Sequence, residues 1–400
     1  MNVRLNTSLT IFFVLGLLFH AQAQSMRTPQ ESLNAYHASL DSLRREWPNV
    51  RPMPELNYFL FGMGNRRKMI YHRGELKDAR TGEIIRKWKV AQEYILPADY
   101  SVMLQDERGT WTLIRENQTG VLLDDGKAQA YLVRSKLNLP SFRGKKYASV
   151  LRVLHHEVLM HVADGKPLPN FFVYQKPWLR DATLMAMVLK ATRNLDQINE
   201  WIQSLRDPFD RNNHGISEAD NLGQILYLVS LVDNKTHPVV AMVLDSVRQF
   251  EKKNASGERY LEGKTDYALH PVFQTKWMKF GLQSLGLPDP YRIPKVYDSY
   301  SSLFWWAYKD EHVLGKTFDS KSGQNYPYLV WAEDHFYSRP GAPERRGTVS
   351  NRDYPLTWEA NASDARYADL NRLDASLIKE KLSPSHTWHA AEMFLLLLER

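Results

Sequence analysis

Acidic residues near aromatic residues cluster in several short segments of the chain after residue 175. They are Asp181 (WLRDA), Glu218 and Asp220 (ISEADNLGQ), Glu262 and Asp266 (YLEGKTDY), Glu333 and Asp334 (YLVWAEDHFY), Glu359 (PLTWEANA) and Glu392 (HTWHAAEMF). Hydrolysis of a glycosidic bond needs two carboxylic groups, one as proton donor and one as nucleophile or as base for water. Aromatic rings stack on sugars and exclude water, which keeps an acid protonated near neutral pH. Because acidic residues also cap helices, the set indicates sugar chemistry more strongly than any single member.

Glu392 differs from the other acids because it lies in the middle of an apolar helical pattern. Its neighbours in the chain include Trp388, Met393 and Phe394. A carboxylate in such surroundings is expected to be partly buried, and it must then be paired or have a raised pKa. Both conditions are typical of a functional site.

The histidine pattern does not favour a metal site. His155, His156, Glu157 and His161 share one predicted helix, but HHEVLMH spaces its outer histidines differently from HExxH. The sequence contains no cysteine, no P-loop, no GxSxG and no dinucleotide fingerprint. We therefore expect neither a metal nor a cofactor.

The composition excludes some partners. The formal net charge is +7, from 52 basic and 45 acidic residues, and no long basic run concentrates it. Nucleic-acid binding requires a concentrated basic face, so we do not expect it. The 11 Trp and 20 Tyr residues would supply either core packing or platforms for sugar rings.

The N-terminal residues have the pattern of a secretory signal. Arg4 precedes the apolar run LTIFFVLGLLFH, and AQA at 21–23 is a small-x-small cleavage pattern. We expect a signal peptide over 1–23, a periplasmic or secreted protein, and no integral membrane segment after cleavage. A helical segment follows within 24–55, where Thr28, Pro29 and Glu31 form the pattern of a capping box.

The hydrophobic period separates two further regions. Short β-like runs between turn signals predict a β-sandwich-like domain over 56–140. Residues 146–400 change to the helical period, and short breaks separate the predicted helices. These cover 147–164, 180–192, 195–205, 218–232, 237–253, 270–286, 299–313 and 385–400. We expect a mostly α fold in which helical hairpins close into an (α/α)6 toroid, preceded by the β-sandwich-like domain.

Several of these segments resemble those of six-hairpin (α/α)6 glycosidases of the glucoamylase type. WLRDATLMAMVL is similar to their W-x-R-D segment, and EADNLGQILYLVSLV is similar to their Q-x-D-x-x-G helix. YLEGKTDY lies where they have W-E-x-R-G, although Leu261 replaces the Trp. SPSHTWHAAEMFLLLL resembles their P-L-x-W-x-H-A-E helix. The resemblance implies that Arg180 and Asp181 hold a sugar, that Glu262 is the general acid and that Glu392 is the general base. Asp266 and Glu333 remain rivals for the acid.

Together these patterns predict an inverting glycoside hydrolase acting on an oligo- or polysaccharide, with catalytic residues among Glu392, Glu262 and Asp266. The expected substrate contacts are Trp178, Arg180, Asp181, Asp220, His270, Lys276, Trp331, Glu333, Asp334, Trp358, Glu359, His386, Trp388 and His389. One alternative is a polysaccharide lyase, in which His270, His389, Tyr300 and Arg180 would remove a proton and neutralise a uronate. The other is a glycan-binding protein without catalysis.

Overall fold

The computed structural model describes residues 28–45, 58–172, 174–266, 268–296, 298, 300 and 387–399. The first element is helix α1 (Pro29–Arg45). Its predicted capping box is confirmed, because Thr28 Oγ1 accepts the Glu31 N–H at 3.2 Å and Glu31 Oε2 accepts the Thr28 N–H at 2.7 Å.

Two antiparallel meanders follow α1. The first sheet contains β1 (Tyr58–Phe61), β2 (Met69–His72), β3 (Glu75–Asp78) and β4 (Ile84–Lys87). The second contains β5 (Val90–Leu96), β6 (Ser101–Asp106), β7 (Trp111–Glu116), β8 (Gly120–Asp124) and β9 (Gln129–Arg134). Phe61 and Tyr71 of the first sheet share an apolar cluster with Val102 and Ile114 of the second. Because side chains alternate along a strand, neighbours such as Leu60 join the core of the helices instead.

Helices and short strand pairs make up the rest. The helices are α2 (Ala148–Met160), α3 (Leu179–Ala191), α4 (Asn199–Gln203), α5 (Asp220–Ser230), α6 (Pro238–Ser246), α7 (Pro271–Ser284) and α8 (Thr387–Glu399). The pairs are β10 (Val162–Ala163) with β11 (Lys166–Pro167), β12 (Glu251–Lys253) with β13 (Arg259–Leu261), and β14 (Lys264–Thr265) with β15 (Ala268–Leu269). Helix α8 packs on α2 and α3, α3 packs on α5, and α5 packs on α7.

Helices α5 and α7 meet backbone to backbone. A Cβ atom placed on Gly223 would lie 2.2 Å from the carbonyl group of Trp277, and one on Gly281 would lie 2.4 Å from the carbonyl oxygen of Gly223. Only glycine permits such an approach. The contact fixes the start of α5 relative to the start of α7, where the candidate site lies.

The predicted mostly α fold with an (α/α)6 toroid is wrong. The described residues contain eight α-helices and fifteen strands in five small antiparallel sheets, and a helical content of only 38% does not match a helical toroid. The segment 237–253 was predicted as one helix, but it ends in β12, and 195–205 contains only a short 3-10 turn and α4. Strand pairs therefore stand where a toroid requires consecutive helical hairpins. Within the described part of the chain, no helix combines the length and apolar character that a bilayer span requires.

Candidate active site

Arg180, the second residue of α3, lies at the centre of an acidic cluster. Its Nη1 is 3.3 Å from Asp266 Oδ2, its Nη2 is 3.8 Å from Glu218 Oε2, and its Nε is 3.5 Å from Asp220 Oδ2. Burial opposes the guanidinium charge, but these three carboxylates outweigh it and raise the pKa of Arg180. The buried Nε makes no hydrogen bond to a described residue. One guanidinium is therefore the cationic partner of three carboxylates, at N···O distances of 3.3–3.8 Å.

Separate elements bring the three acids to Arg180. Asp220 is the first residue of α5, and Glu218 lies just before that helix. Asp266 lies in the tight turn between β14 and β15, at a positive φ of 56°. Aspartate tolerates this left-handed conformation better than most residues and is common in two-residue hairpin turns. The hairpin therefore directs the Asp266 carboxylate toward α3 and α5.

Asn213 links Glu218 to Asp266. Its Nδ2 donates to Glu218 Oε1 at 3.3 Å and to Asp266 Oδ1 at 3.2 Å. Glu218 Oε1 also accepts the backbone N–H of Asp266. The two carboxylate oxygens are therefore separated by no more than the sum of those distances. Their separation is smaller still, because the two hydrogens of a planar amide diverge by only about 120°.

The pKa values of the two linked acids shift in opposite directions. Burial and the charge of Asp220 raise the pKa of Glu218 to about 7, although Arg180 opposes the shift. Burial would also raise the pKa of Asp266, but the charge of Arg180 and a hydrogen bond from Tyr300 hold it below its ordinary value. Neutral pH therefore leaves a protonated fraction on Glu218 and an ionised Asp266. Paired carboxylic groups with such a division are typical of acid–base sites.

Asp220 and its hydrogen-bond partners Thr265 and Gln224 are the fully buried part of the cluster, which we call its floor. Asp220 Oδ1 accepts the Thr265 hydroxyl at 2.7 Å, while its Oδ2 accepts the Gln224 amide at 2.9 Å. Both oxygens are therefore occupied by protein donors below Arg180. These contacts suit Asp220 to holding the guanidinium, and its predicted role as a direct sugar contact stays a prediction.

Aromatic side chains border the cluster. The Arg180 guanidinium carbon lies 5.6 Å from the centre of the Trp388 ring, within the range of a cation–π contact. Tyr300 donates its hydroxyl to Asp266 Oδ2 at 2.6 Å. The Tyr300 ring is stacked on His270. The cluster thus has apolar flat surfaces beside its carboxylates, the combination that a sugar ring requires.

Other predicted substrate-binding residues contact neighbouring parts of the fold, and their roles toward a sugar stay predictions. Asp181 Oδ1 accepts the Trp388 backbone N–H at 3.2 Å, so Asp181 joins the first turn of α8 to α3. Trp178 precedes α3 and lies edge-on to Tyr174. Lys276 is fully buried within α7. His270 is buried just before α7, where it pairs with Asp298.

The other two predicted catalytic acids lie in α8 and between β13 and β14. Glu392 is 1% exposed in α8, which confirms its predicted burial. Glu262 is half-buried between β13 and β14, and its side chain makes no hydrogen bond or ion pair to a described residue. The remaining predictions fall outside the described residues or, for His389 in α8, outside the described side chains. Those outside are Trp331, Glu333, Asp334, Trp358, Glu359 and His386.

The sequence indicated some of the cluster but not its arrangement. Glu218 was grouped with the acidic–aromatic segments without being assigned a role, and Tyr300 was considered only for a lyase. Asn213 was not identified. It lies in DRNNHG, a run of turn-forming residues between α4 and α5. That run signals a loop, but only the fold shows that one of its amides binds two acids.

The histidines in α2, and His161 just after it, pack against other buried residues. His156 Nε2 is 2.9 Å from the Leu60 carbonyl oxygen, and its ring stacks on Phe59. His161 Nδ1 accepts the Phe171 N–H at 3.1 Å. Burial lowers the pKa of His155 to about 3 and that of His156 to about 4. In the described ranges, no group of three or more His, Asp or Glu side chains could hold a metal ion.

Comparison of the chain with protein-family models, curated proteins and solved structures gave no match.

Proposed function

We propose that the cluster around Arg180 hydrolyses glycosidic bonds of an oligo- or polysaccharide. In this proposal Glu218 protonates the leaving oxygen while ionised Asp266 forms a bond to the anomeric carbon, and water then cleaves that ester with Glu218 as the base. The observation that carries the proposal is the close pair of carboxylic acids whose pKa values are shifted in opposite directions. Trp388 and Tyr300 would contact the sugar ring. We also propose that the protein is exported, on the basis of the pattern over 1–23.

The proposal changes the assignment expected from sequence. Asp266 was a candidate acid, but its lowered pKa suits the ionised role better. Glu218 replaces Glu262 as the acid, because Glu218 has the raised pKa and a carboxylate partner. The catalytic role of Glu392 remains a prediction, since its burial is compatible with a site but does not define a role.

The charge balance favours hydrolysis over uronate elimination. A lyase must neutralise the carboxylate of its substrate before a proton can leave the adjacent carbon. The cation of this cluster, Arg180, already faces Glu218, Asp220 and Asp266. A uronate would therefore meet excess negative charge. A neutral sugar, whose hydroxyls can donate to those carboxylates, suits the cluster better.

The separation of the pair favours retention of anomeric configuration. Inverting enzymes place their carboxyl groups about 6.5–9.5 Å apart, which leaves room for water, whereas retaining enzymes place them about 5–5.5 Å apart. The geometry around Asn213 suits the shorter class. Proton NMR of the first-formed product would distinguish the two outcomes, and an inverted product would exclude Asp266 as nucleophile.

The test compares the wild-type protein with E218Q, D266N and the surface control E200Q. A panel of nitrophenyl glycosides and unmodified oligosaccharides would identify a substrate. We expect E218Q to lower kcat/KM about 10²–10⁴-fold and D266N at least as much, while E200Q retains wild-type activity. E218Q should lose much less activity on a dinitrophenyl glycoside, whose leaving group does not need a proton.

Two further variants distinguish the present assignment of the catalytic acids from the one expected from the sequence. If E262Q or E392Q abolishes hydrolysis while E218Q retains it, the sequence-based assignment is right and the present one is wrong. Products that absorb in the near ultraviolet through a new C=C bond would indicate the lyase instead. Binding to glycans without turnover across the whole panel would indicate a glycan-binding protein.

A further inference from the structure

Tyr300 lies between Asp266 and a buried histidine. Its hydroxyl donates to Asp266 Oδ2 at 2.6 Å. Its ring lies flat on the His270 ring, with centroids 3.8 Å apart and an interplanar angle of 11°. The Phe273 ring is nearly perpendicular to the Tyr300 ring, with centroids 5.7 Å apart. The ring is thus held by packing while its hydroxyl points to the carboxylate.

Asp298 fixes both the histidine and the backbone of Tyr300. Its Oδ1 lies 2.8 Å from His270 Nδ1 and 2.8 Å from the backbone nitrogen of Tyr300. Its Oδ2 accepts the Phe273 N–H in the first turn of α7, at 3.0 Å. Because an ionised carboxylate only accepts, His270 Nδ1 carries the proton in this contact. Asp298 and His270 are both buried, so water competes little for these bonds.

We infer that Tyr300 is a positioning residue for Asp266, and that His270 and Asp298 act as its support. The inference rests on the proposed function, because it gives Asp266 the ionised role. A hydroxyl that donates to a carboxylate favours the charged form and limits the orientation of its oxygens. Asn213 binds the other oxygen of Asp266 at 3.2 Å. Together the two donors fix the plane of the carboxylate relative to Glu218.

Four titratable or charged groups in the described part of the chain face Asp266. Arg180 approaches from α3, Glu218 from the segment before α5, His270 from the segment before α7, and Tyr300 from beyond α7. Of these, Tyr300 can be altered by removing a single oxygen atom. Y300F therefore tests the hydroxyl while it leaves the ring in its stack.

The first experiment needs no substrate. Protein labelled with ¹³C at aspartate carboxyl carbons is titrated by NMR, and the signal missing from D266N identifies Asp266. We expect Y300F to raise the pKa of Asp266 by about one pH unit, because the ionised form loses a donor. H270A should shift it in the same direction, and H270F, which restores a flat ring, should recover part of the shift. Y227F serves as control, since Tyr227 is also a buried ring, stacked on Phe280, and its hydroxyl makes no hydrogen bond to a described residue.

The second experiment uses whichever glycoside the panel identifies. We expect the acidic limb of the kcat/KM profile to move upward by about one pH unit in Y300F, with KM changed less than about twofold. A residue that only stabilises the fold would lower the thermal midpoint without moving this limb. If the pKa of Asp266 is the same in Y300F and wild type, the inference is overturned. If D266N hydrolyses the substrate normally, the proposed function fails, yet the NMR titration still decides whether Tyr300 controls Asp266.

Discussion

Two arginines of this protein contact buried acids in opposite ways. Arg66 and Glu116 form a single pair with fully buried side chains, and Nη1 lies 2.9 Å from Oε1. Glu116 also accepts the backbone N–H groups of Gly62 and Met63, at 2.8 and 2.7 Å. Arg66 Nε donates to the Ser135 carbonyl oxygen at 3.0 Å. Each charge is matched, and the pair joins the β1–β2 turn to β7.

The Arg180 cluster lacks that balance. Three acids share one guanidinium at 3.3–3.8 Å, and Nε makes no hydrogen bond in the described structure. Burying a charge without full compensation costs stability. Such a cost persists where function requires the arrangement, as at active sites. The comparison therefore separates an ion pair with matched charges from a cluster with excess acidic groups, a cost that the proposed function would explain.

The largest expected effect is that of E116Q on stability. The new amide nitrogen would face either a backbone N–H or the guanidinium, so one buried donor would oppose another. The charge of Arg66 would also lose its partner. We expect the free energy of unfolding to fall by about 3–5 kcal/mol, measured by denaturant titration. E75Q, which removes the charge that pairs with Lys77 and Lys87 at the edge of the first sheet, should change it by only about 1 kcal/mol. Equal losses in the two variants would contradict the assignment of the Arg66 pair as structural.

The same type of substitution in the Arg180 cluster, E218Q, should change the free energy of unfolding in the opposite direction and raise it. The amide carbonyl oxygen that it introduces could still accept the Asp266 N–H and the Asn213 amide, while the amide NH2 would replace the oxygen 3.8 Å from Arg180. With a folded pKa of about 7, Glu218 keeps its proton while the unfolded chain releases it above its ordinary pKa of 4.5. Wild-type stability therefore falls as the pH rises from about 4.5 to about 7.

E218Q removes that dependence. We expect its free energy of unfolding to exceed that of the wild type by about 2–3 kcal/mol near pH 8, and the difference to shrink toward pH 4.5. Denaturant titrations at several pH values measure this. A loss at pH 8 comparable to that of E116Q would remove the distinction between the two clusters.

Local patterns predicted several elements because the interactions that form them are local. The capping box of Thr28 and Glu31 involves residues three apart. The predicted helices over 180–192 and 270–286 agree closely with α3 and α7. Segment 237–253 was mispredicted because Glu251–Lys253 pairs with Arg259–Leu261 in β12 and β13. The helical period of the residues before it carries no information about that partner strand.

The site was predicted in its residues more than in its roles. Asp266 was a candidate because its type and neighbours suit sugar chemistry, and Arg180 was one because WLRDA resembles a segment of the glucoamylase-type glycosidases. The raised pKa of Glu218 depends on burial and on Asp220, and neither can be derived from ISEADNLGQ alone. The role of Asp181 in holding a sugar stays a prediction, and its contact with the Trp388 backbone, 207 positions away, could not be derived from WLRDA. Such long-range contacts decide the role of an acid, and they depend on the fold.

A smaller effect is expected where helix packing positions the acids. G223A would place a Cβ atom 2.2 Å from the Trp277 carbonyl group, so α5 and α7 would have to separate. We expect a loss of about 2 kcal/mol in the free energy of unfolding. Hydrolysis should also fall, because Asp220 begins α5 and His270 immediately precedes α7. M242A, on the exposed side of α6, should change neither property. Normal activity in G223A would show that the site tolerates movement between α5 and α7.

The smallest effect concerns the floor of the Arg180 cluster. In this part of the cluster the polar groups are paired, as they are around Arg66 and Glu116. Thr265 donates to Asp220 Oδ1 at 2.7 Å and accepts the Gln274 amide at 2.9 Å, so this layer is as fully matched as the Arg66 pair. T265V keeps the shape but removes both bonds, and we expect a loss of about 1–2 kcal/mol in the free energy of unfolding.

The pH dependence of T265V stability should nevertheless match that of the wild type, because Thr265 makes no hydrogen bond to Glu218. Denaturant titrations at about pH 5 and about pH 8 test this expectation. A changed pH dependence in T265V would mean that Asp220 moves and that the floor around Asp220 and the pair of Glu218 and Asp266 act as one unit. An unchanged dependence would mean that the cluster combines a structural layer around Asp220 with a separate reactive layer formed by Glu218 and Asp266.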